Sequence, residues 1–269
     1  MLKDITLGQF FPGNSPVHRM DPRTKLLILI AYIVALFLAS GWISYAAVFV
    51  FLTVSIIVSR IPLKALFKGM KPIVAILIFT GILNLFLTEG AVVLVEWWIF
   101  RITLEGVIKA FVMMARILML LSATFLLTYT TSPIALTDGL ESLLGPLKKI
   151  KLPVHELAMM MCIALRFIPT LIEETDKIMS AQKARGADFE SGNIFKRVKA
   201  LVPILVPLFI GAFRRADELA TAMECRCYHG GDGRTKMKLL RYKLLDVVTF
   251  AIGAVLLAAV IFLNPFFPL

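Results

Sequence analysis

The chain alternates long uncharged apolar stretches with short basic or mixed polar ones, and the lengths of those stretches dictate its elements. From Leu26 to Ser59 no residue is charged. As one helix that run would measure about 50 Å, well beyond a hydrocarbon core of about 30 Å. Ser40-Gly41-Trp42 interrupts it near the middle, which predicts two short spans joined by a tight turn. A single long tilted helix is the alternative, and it would invert everything downstream. Arg60, Lys64, Lys68 and Lys71 follow as a basic loop interrupted by Pro62, and further spans are expected over about 72–88, 106–130 and 247–263. In the connection after the third span, Glu89, Glu96 and Glu105 outnumber Arg101, and the pair Trp97-Trp98 belongs at a membrane interface.

Between the fourth and fifth spans the pattern changes from continuous to helical-periodic. Ser132-Pro133 reads as a helix start, with serine as cap and proline at the first position, and Gly145-Pro146 as its stop. From Pro153 a second helix carries Leu157, Met160, Met161, Ala164, Leu165, Ile168, Leu171 and Ile172 as an apolar stripe, with Glu156, Arg166, Glu173, Asp176 and Lys177 among its polar positions. It runs to about Arg185, bent at Pro169 and ended by Gly186. A third helix begins near Ile194, contains Pro203 and Pro207, and reaches about Cys227 before the turn His229-Gly230-Gly231. An offset of 41 residues superposes the ends of these two helices. It sets Asp176 against Asp217, Ala181 against Ala222 and Arg185 against Arg226. Ala184-Arg185-Gly186 thus falls opposite Cys225-Arg226-Cys227, one arginine between small residues at each tip.

Composition and charge complete this picture. Hydrophobic residues make up 59% of the 269 and charged residues 17%, against about 45–50% and 25% in soluble domains. The net charge of +11 needs no nucleic acid to explain it, because the basic residues flank the apolar runs. Of the 29 Lys and Arg, 18 lie in 133–243, with 12 of the 18 Asp and Glu. Loops bearing Arg23, Lys25, Arg60, Lys64, Lys68 and Lys71 are assigned to the cytoplasm, and with five spans the polar segment is cytoplasmic too. The fold class expected is an all-α integral membrane protein of about five transmembrane helices plus a cytoplasmic coupling domain of long amphipathic helices. The divisions are 1–25, a cytoplasmic N-terminal segment; 26–131, spans one to four; 132–243, the coupling domain; and 244–269, the last span. No signal-peptide pattern precedes Leu26, so insertion is expected to begin with the first span. Three cysteines do not make a disulfide framework.

Little in the chain supports chemistry of its own. No Gly-rich loop ending in Lys-Ser/Thr is present to cradle phosphates, so the chain is not an ATPase. His155-Glu156 lacks the second histidine of a zinc protease, since Met159 stands in its place, and Cys225, Cys227 and His229 supply at most three close metal ligands. Arg116 in the fourth span is read as a member of a structural ion pair or an interfacial charge, in preference to a transport role. No cofactor and no metal is expected, and the chain is read as not an enzyme. A guanidinium presents a planar fork of donors that can engage a carboxylate in two parallel bonds. Two such tips on one cytoplasmic face suggest a partner with two similar sockets.

Several segments carry a family resemblance: His18-Arg19-Met20-Asp21-Pro22-Arg23-Thr24-Lys25, Pro153-Val154-His155-Glu156-Leu157, Ala164-Leu165-Arg166-Phe167-Ile168-Pro169, Gln182-Lys183-Ala184-Arg185-Gly186-Ala187-Asp188 and Arg215-Ala216-Asp217-Glu218-Leu219-Ala220, leading into Cys225-Arg226-Cys227-Tyr228. Through them the chain resembles the transmembrane T component of energy-coupling-factor transporters, the family that includes the cobalt-transporter Q-type permeases. The resemblance implies two cytoplasmic ATP-binding-cassette ATPases docked on Ala-Arg-Gly-like tips. It also implies a membrane-embedded S component that binds the vitamin or metal ion, and a multi-pass cell-membrane location. Ala184, Arg185 and Gly186 match the first motif; Cys225, Arg226 and Cys227 occupy the second, which departs from it on both sides of the arginine. The rivals are a self-sufficient secondary carrier, which calls for charged or broken helices at mid-bilayer, and an intramembrane enzyme.

Overall fold

The computed structural model describes residues 10–88, 93–97, 100–189, 193–231, 233 and 239–264. They fall into two compact units, one within Gly8–Gly139 and Leu240–Leu269, the other within Leu140–Leu239. The long apolar run divides as its central Gly41 predicts: α1 (Pro16–Arg19) leads to α2 (Pro22–Leu38), and α3 (Trp42–Ser59) follows the turn. Asn264 closes that turn, accepting from Ser40 N–H (3.0 Å) and Ser44 Oγ (2.9 Å) and donating to Leu38 O (2.6 Å). Backbone groups that apolar surroundings would otherwise leave unpaired are thereby satisfied.

The basic stretch 60–71 is not a loop. It forms α4 (Leu63–Met70), joined by a turn of 3₁₀ helix at Lys71–Ile73 to α5 (Val74–Leu87). Leu63, Leu66, Phe67 and Met70 repeat at helical spacing, and Leu66 is buried. The apolar period, not the lysines, sets the conformation of this segment. The acidic connection holds a short antiparallel hairpin, β1 (Val93–Trp97) and β2 (Phe100–Thr103); Glu89 and Trp98 lie outside the described residues. α6 (Leu104–Thr130) and α10 (Leu244–Leu263) complete the bundle. Its core is Tyr32, Leu36, Tyr45, Val48, Leu52, Met119, Leu256 and Val260, drawn from α2, α3, α6 and α10. Arg116 donates to Ala39 O (3.3 Å) and to the Tyr45 hydroxyl, and its guanidinium lies 5.8 Å from the Phe37 ring centre. Among the described residues its hydrogen-bond partners are uncharged, so it forms no ion pair there, and its buried Nε finds no partner.

α7 (Pro133–Leu144) begins where the serine cap predicts, Ala135 N–H donating to Ser132 Oγ (3.3 Å). A 3₁₀ segment, Gly145–Ile150, ends it. α8 (Val154–Ala184) and α9 (Ile194–Glu224) are 31 residues each, and their internal prolines divide neither. Five helices among the described residues are long and apolar enough to cross a membrane: Trp42–Ser59, Leu63–Leu87, Leu104–Thr130, Val154–Ala184 and Leu244–Leu263. The number is the expected one, but the set differs. α8 meets the measure, whereas α2, at 17 residues, is one residue shorter than the 18 of α3.

Candidate functional site

Both long helices end in the same backbone device. At the tip of α8, Gly186 N–H donates to Lys183 O (3.0 Å) and Ala187 N–H to Gln182 O (3.0 Å). At the tip of α9, Cys227 N–H donates to Glu224 O (2.9 Å) and Tyr228 N–H to Met223 O (3.1 Å). Every donor and acceptor of the second set sits 41 positions after its counterpart in the first. Gly186 has φ +87° and Cys227 φ +55°, so the cysteine takes the left-handed position that glycine takes at the first tip. A side chain there costs about 1 kcal/mol or more, so the second tip carries strain that the first avoids.

This closure bears on the arginines. Backbone amides already satisfy the last carbonyls of each helix, so neither arginine is needed as a cap. Arg185 and Arg226 are exposed, as are Ala184, Gly186, Cys225 and Cys227, and neither guanidinium has a polar partner among the described residues. Each tip therefore presents a forked donor between two small residues. Cys225 and Cys227 are free thiols.

A clasp holds α8 to α9: Arg215 donates to the Glu174 carboxylate, and the pair is about three-quarters buried. Gly211, one turn before Arg215, makes room for it, since a Cβ there would meet Glu174 Oε1 at 3.2 Å. The clasp obeys the same 41-residue offset and lies eleven residues before each arginine, so each tip stands about 16 Å beyond it. Parallel helices crossing there would leave about 46 Å between the end of α8 and the start of α9, where ten residues reach about 34 Å. For straight helices the directions would then differ by at least about 90°, which would set the tips about 25–35 Å apart. Sequence reasoning compared the tips and missed the clasp, although the same offset sets Glu174 opposite Arg215.

The tips differ in their support. Gly186 faces open space, whereas a Cβ on Gly231, just past the second tip, would meet His155 Cδ2 at 2.5 Å. His155 is in turn held by Glu141, Nδ1 to Oε1 at 3.0 Å. The turn after α9 thus rests on the first residues of α8, which is the use the structure makes of His155. Gly231→Ala should cost about 1–3 kcal/mol locally, raising amide exchange at Cys227 and Tyr228 tenfold or more while Gly186 and Ala187 keep theirs. Equal changes at both tips would contradict this buttress.

Neither long helix covers its apolar face within this unit. On α8, Leu157, Met160 and Met161 are exposed; on α9, Phe195, Val198, Val202, Leu205, Phe209 and Phe213 form an exposed stripe at helical spacing. So long an apolar face in contact with water is unstable, and it calls for lipid or protein.

Comparison with known proteins gives these features a setting. The family model described as CbiQ, cobalt transport protein, matches residues 13–237. A protein named energy-coupling factor transporter transmembrane protein EcfT from Ruminiclostridium cellulolyticum is 52% identical over 264 residues, covering 98% of each chain. Proteins of the same name from Thermosediminibacter oceani and Listeria innocua are 55% and 47% identical, over 93% and 95% of this chain and 94% and 97% of theirs.

Proposed function

The chain belongs to the CbiQ cobalt transport protein family, within which its near relatives are energy-coupling factor transporter transmembrane proteins, and from that premise we propose that it is the coupling subunit of an ATP-driven importer. In this reading α8 and α9 form a rigid cross whose two tips each enter a groove on one of two ATP-binding-cassette ATPases. Arg185 and Arg226 pair there with carboxylates, and Ala184, Gly186, Cys225 and Cys227 let the tips enter. Rotation or separation of the ATPases moves this cross, held at the Glu174–Arg215 clasp, as one body. The exposed stripe of α9 then passes that movement to a membrane-embedded S component, which binds the vitamin or metal ion taken up. The observation that carries the reading is the pair of matched tips, each closed by its own backbone and each leaving an arginine without a polar partner among the described residues.

The same reading assigns 132–243 and the N-terminus to the cytoplasmic side of the cell membrane. α8 is apolar enough to span, but Glu173, Glu174, Asp176 and Lys177 crowd its C-terminal half. An interfacial helix with its apolar stripe toward lipid or the S component accommodates both facts at lower cost. Relatives are named as transporter membrane components, and hydrolysis belongs to the ATPases. The test is isolation of the tagged chain from native membranes in mild detergent. Two ATP-binding-cassette subunits and one small membrane protein are expected to accompany it. Recovery of the chain alone, with nucleotide binding of its own, would overturn the proposal.

A further inference from the structure

The chain enters the Leu140–Leu239 unit after Gly139 and leaves it before Leu240, and both flanking stretches are tied to the same five residues, Asp21 to Lys25. On the way in, Lys25 Nζ donates to Thr130 O (2.9 Å) at the end of α6 and to Thr131 Oγ1 (3.1 Å). Pro22 lies so close to α7 that a Cβ on Gly139 would stand 3.0 Å from it. On the way out, Asp246 in the first turn of α10 accepts from Asp21 N–H (2.9 Å) and from Lys243 N–H (2.7 Å). Arg23 is held by Asp21 Oδ1 (3.2 Å) and lies 4.6 Å from the ring centre of Tyr242. Asp246 is fully buried, and Asp21, Lys25, Thr130 and Thr131 are each less than 9% exposed.

These are helix ends: an ammonium on the Thr130 carbonyl closing α6 and the Thr131 hydroxyl beside it, a carboxylate on the Lys243 amide opening α10, and Asp21 capping α2 by accepting from Arg23 N–H (2.9 Å). Buried polar groups satisfied in this way fix one arrangement, because any sliding of α6, α2 or α10 strands a charge. If the knot served only the stability of the bundle, its bonds would not need to gather at the two places where the inserted unit is attached.

We propose that Lys25 and Asp246 are positioning residues for coupling: they clamp the incoming and outgoing connections to the start of α2, so that movement of 140–239 shifts the span helices as one body. This rests on the coupling function proposed above. The test is hydrogen exchange on the whole copurified complex, with and without MgATP and vanadate. In the native complex nucleotide should alter exchange in 154–224 and also in 126–139 and 240–250. In Lys25→Met and in Asp246→Asn the response of 154–224 should persist, while that of the flanking segments falls about fivefold or more. Lys25→Arg, which still donates to Thr130 and Thr131, should restore most of it. Thr131→Val removes one acceptor and serves where the stronger variants do not assemble, with a smaller fall in the same segments. A native-sized response at 126–139 and 240–250 in these variants would overturn the inference. Failure of the parent reading looks different: no ATPase would copurify with the native chain.

Discussion

Replacing both Arg185 and Arg226 by alanine is expected to abolish uptake and to release the ATPases or uncouple their hydrolysis. Neither guanidinium has a polar partner among the described residues, which leaves its donors available to a socket. Losing one member of a buried charge pair costs about 2–5 kcal/mol, roughly a 30-fold or greater loss of affinity at that site. One remaining tip holds part of the assembly, so the single variants should impair transport and keep some complex. Lysine should substitute poorly, because a point charge cannot make the two-pronged contact. The rival role, capping of each helix, would cost at most about 1 kcal/mol, and the backbone closure of both tips already removes the need for it. Pull-down of the ATPases and uptake in the double variant decide the matter. Normal assembly and uptake would end the docking proposal.

Reversing one charge of the clasp, as Glu174→Arg or Arg215→Glu, is expected to cut uptake about tenfold or more, and reversing both should recover much of it. The pair is about a quarter exposed, so its removal should cost the chain no more than about 1 kcal/mol of stability. The functional loss should be larger than that figure suggests. Two like charges at the crossing push the helices apart, and an angular change there is carried about 16 Å to each tip. The tips would then no longer match a pair of sockets. Uptake and complex yield in the two single variants and the double variant provide the measurement. A double variant no better than either single one would show that the clasp does not set the spacing.

The lengths of the apolar runs already determined much about this protein. They required a membrane, placed the break at Gly41, and bounded α3, α6 and α10 to within a few residues. The capping logic of Ser132-Pro133 and Gly186 was equally local and equally legible. So was the family, because its segments are short and contiguous. Where periodicity and charge pointed different ways, at 60–71, weight given to the lysines hid α4. Length and apolarity also fail to separate α8 from a span, because an interfacial helix and a spanning one can share both.

Only the tertiary structure joined Glu174 to Arg215, Lys25 to Thr130 and Asp21 to Asp246. Those partners lie 41 to 225 positions apart, and no local rule relates them. The equivalence of the two tips was half legible. The arginines aligned in the sequence, but Cys-Arg-Cys looked like a departure from Ala-Arg-Gly. The backbone removed that difference: a left-handed residue can be glycine at no cost or cysteine at some cost, and the hydrogen bonds that end the helix come from main-chain groups that every residue but proline carries in full.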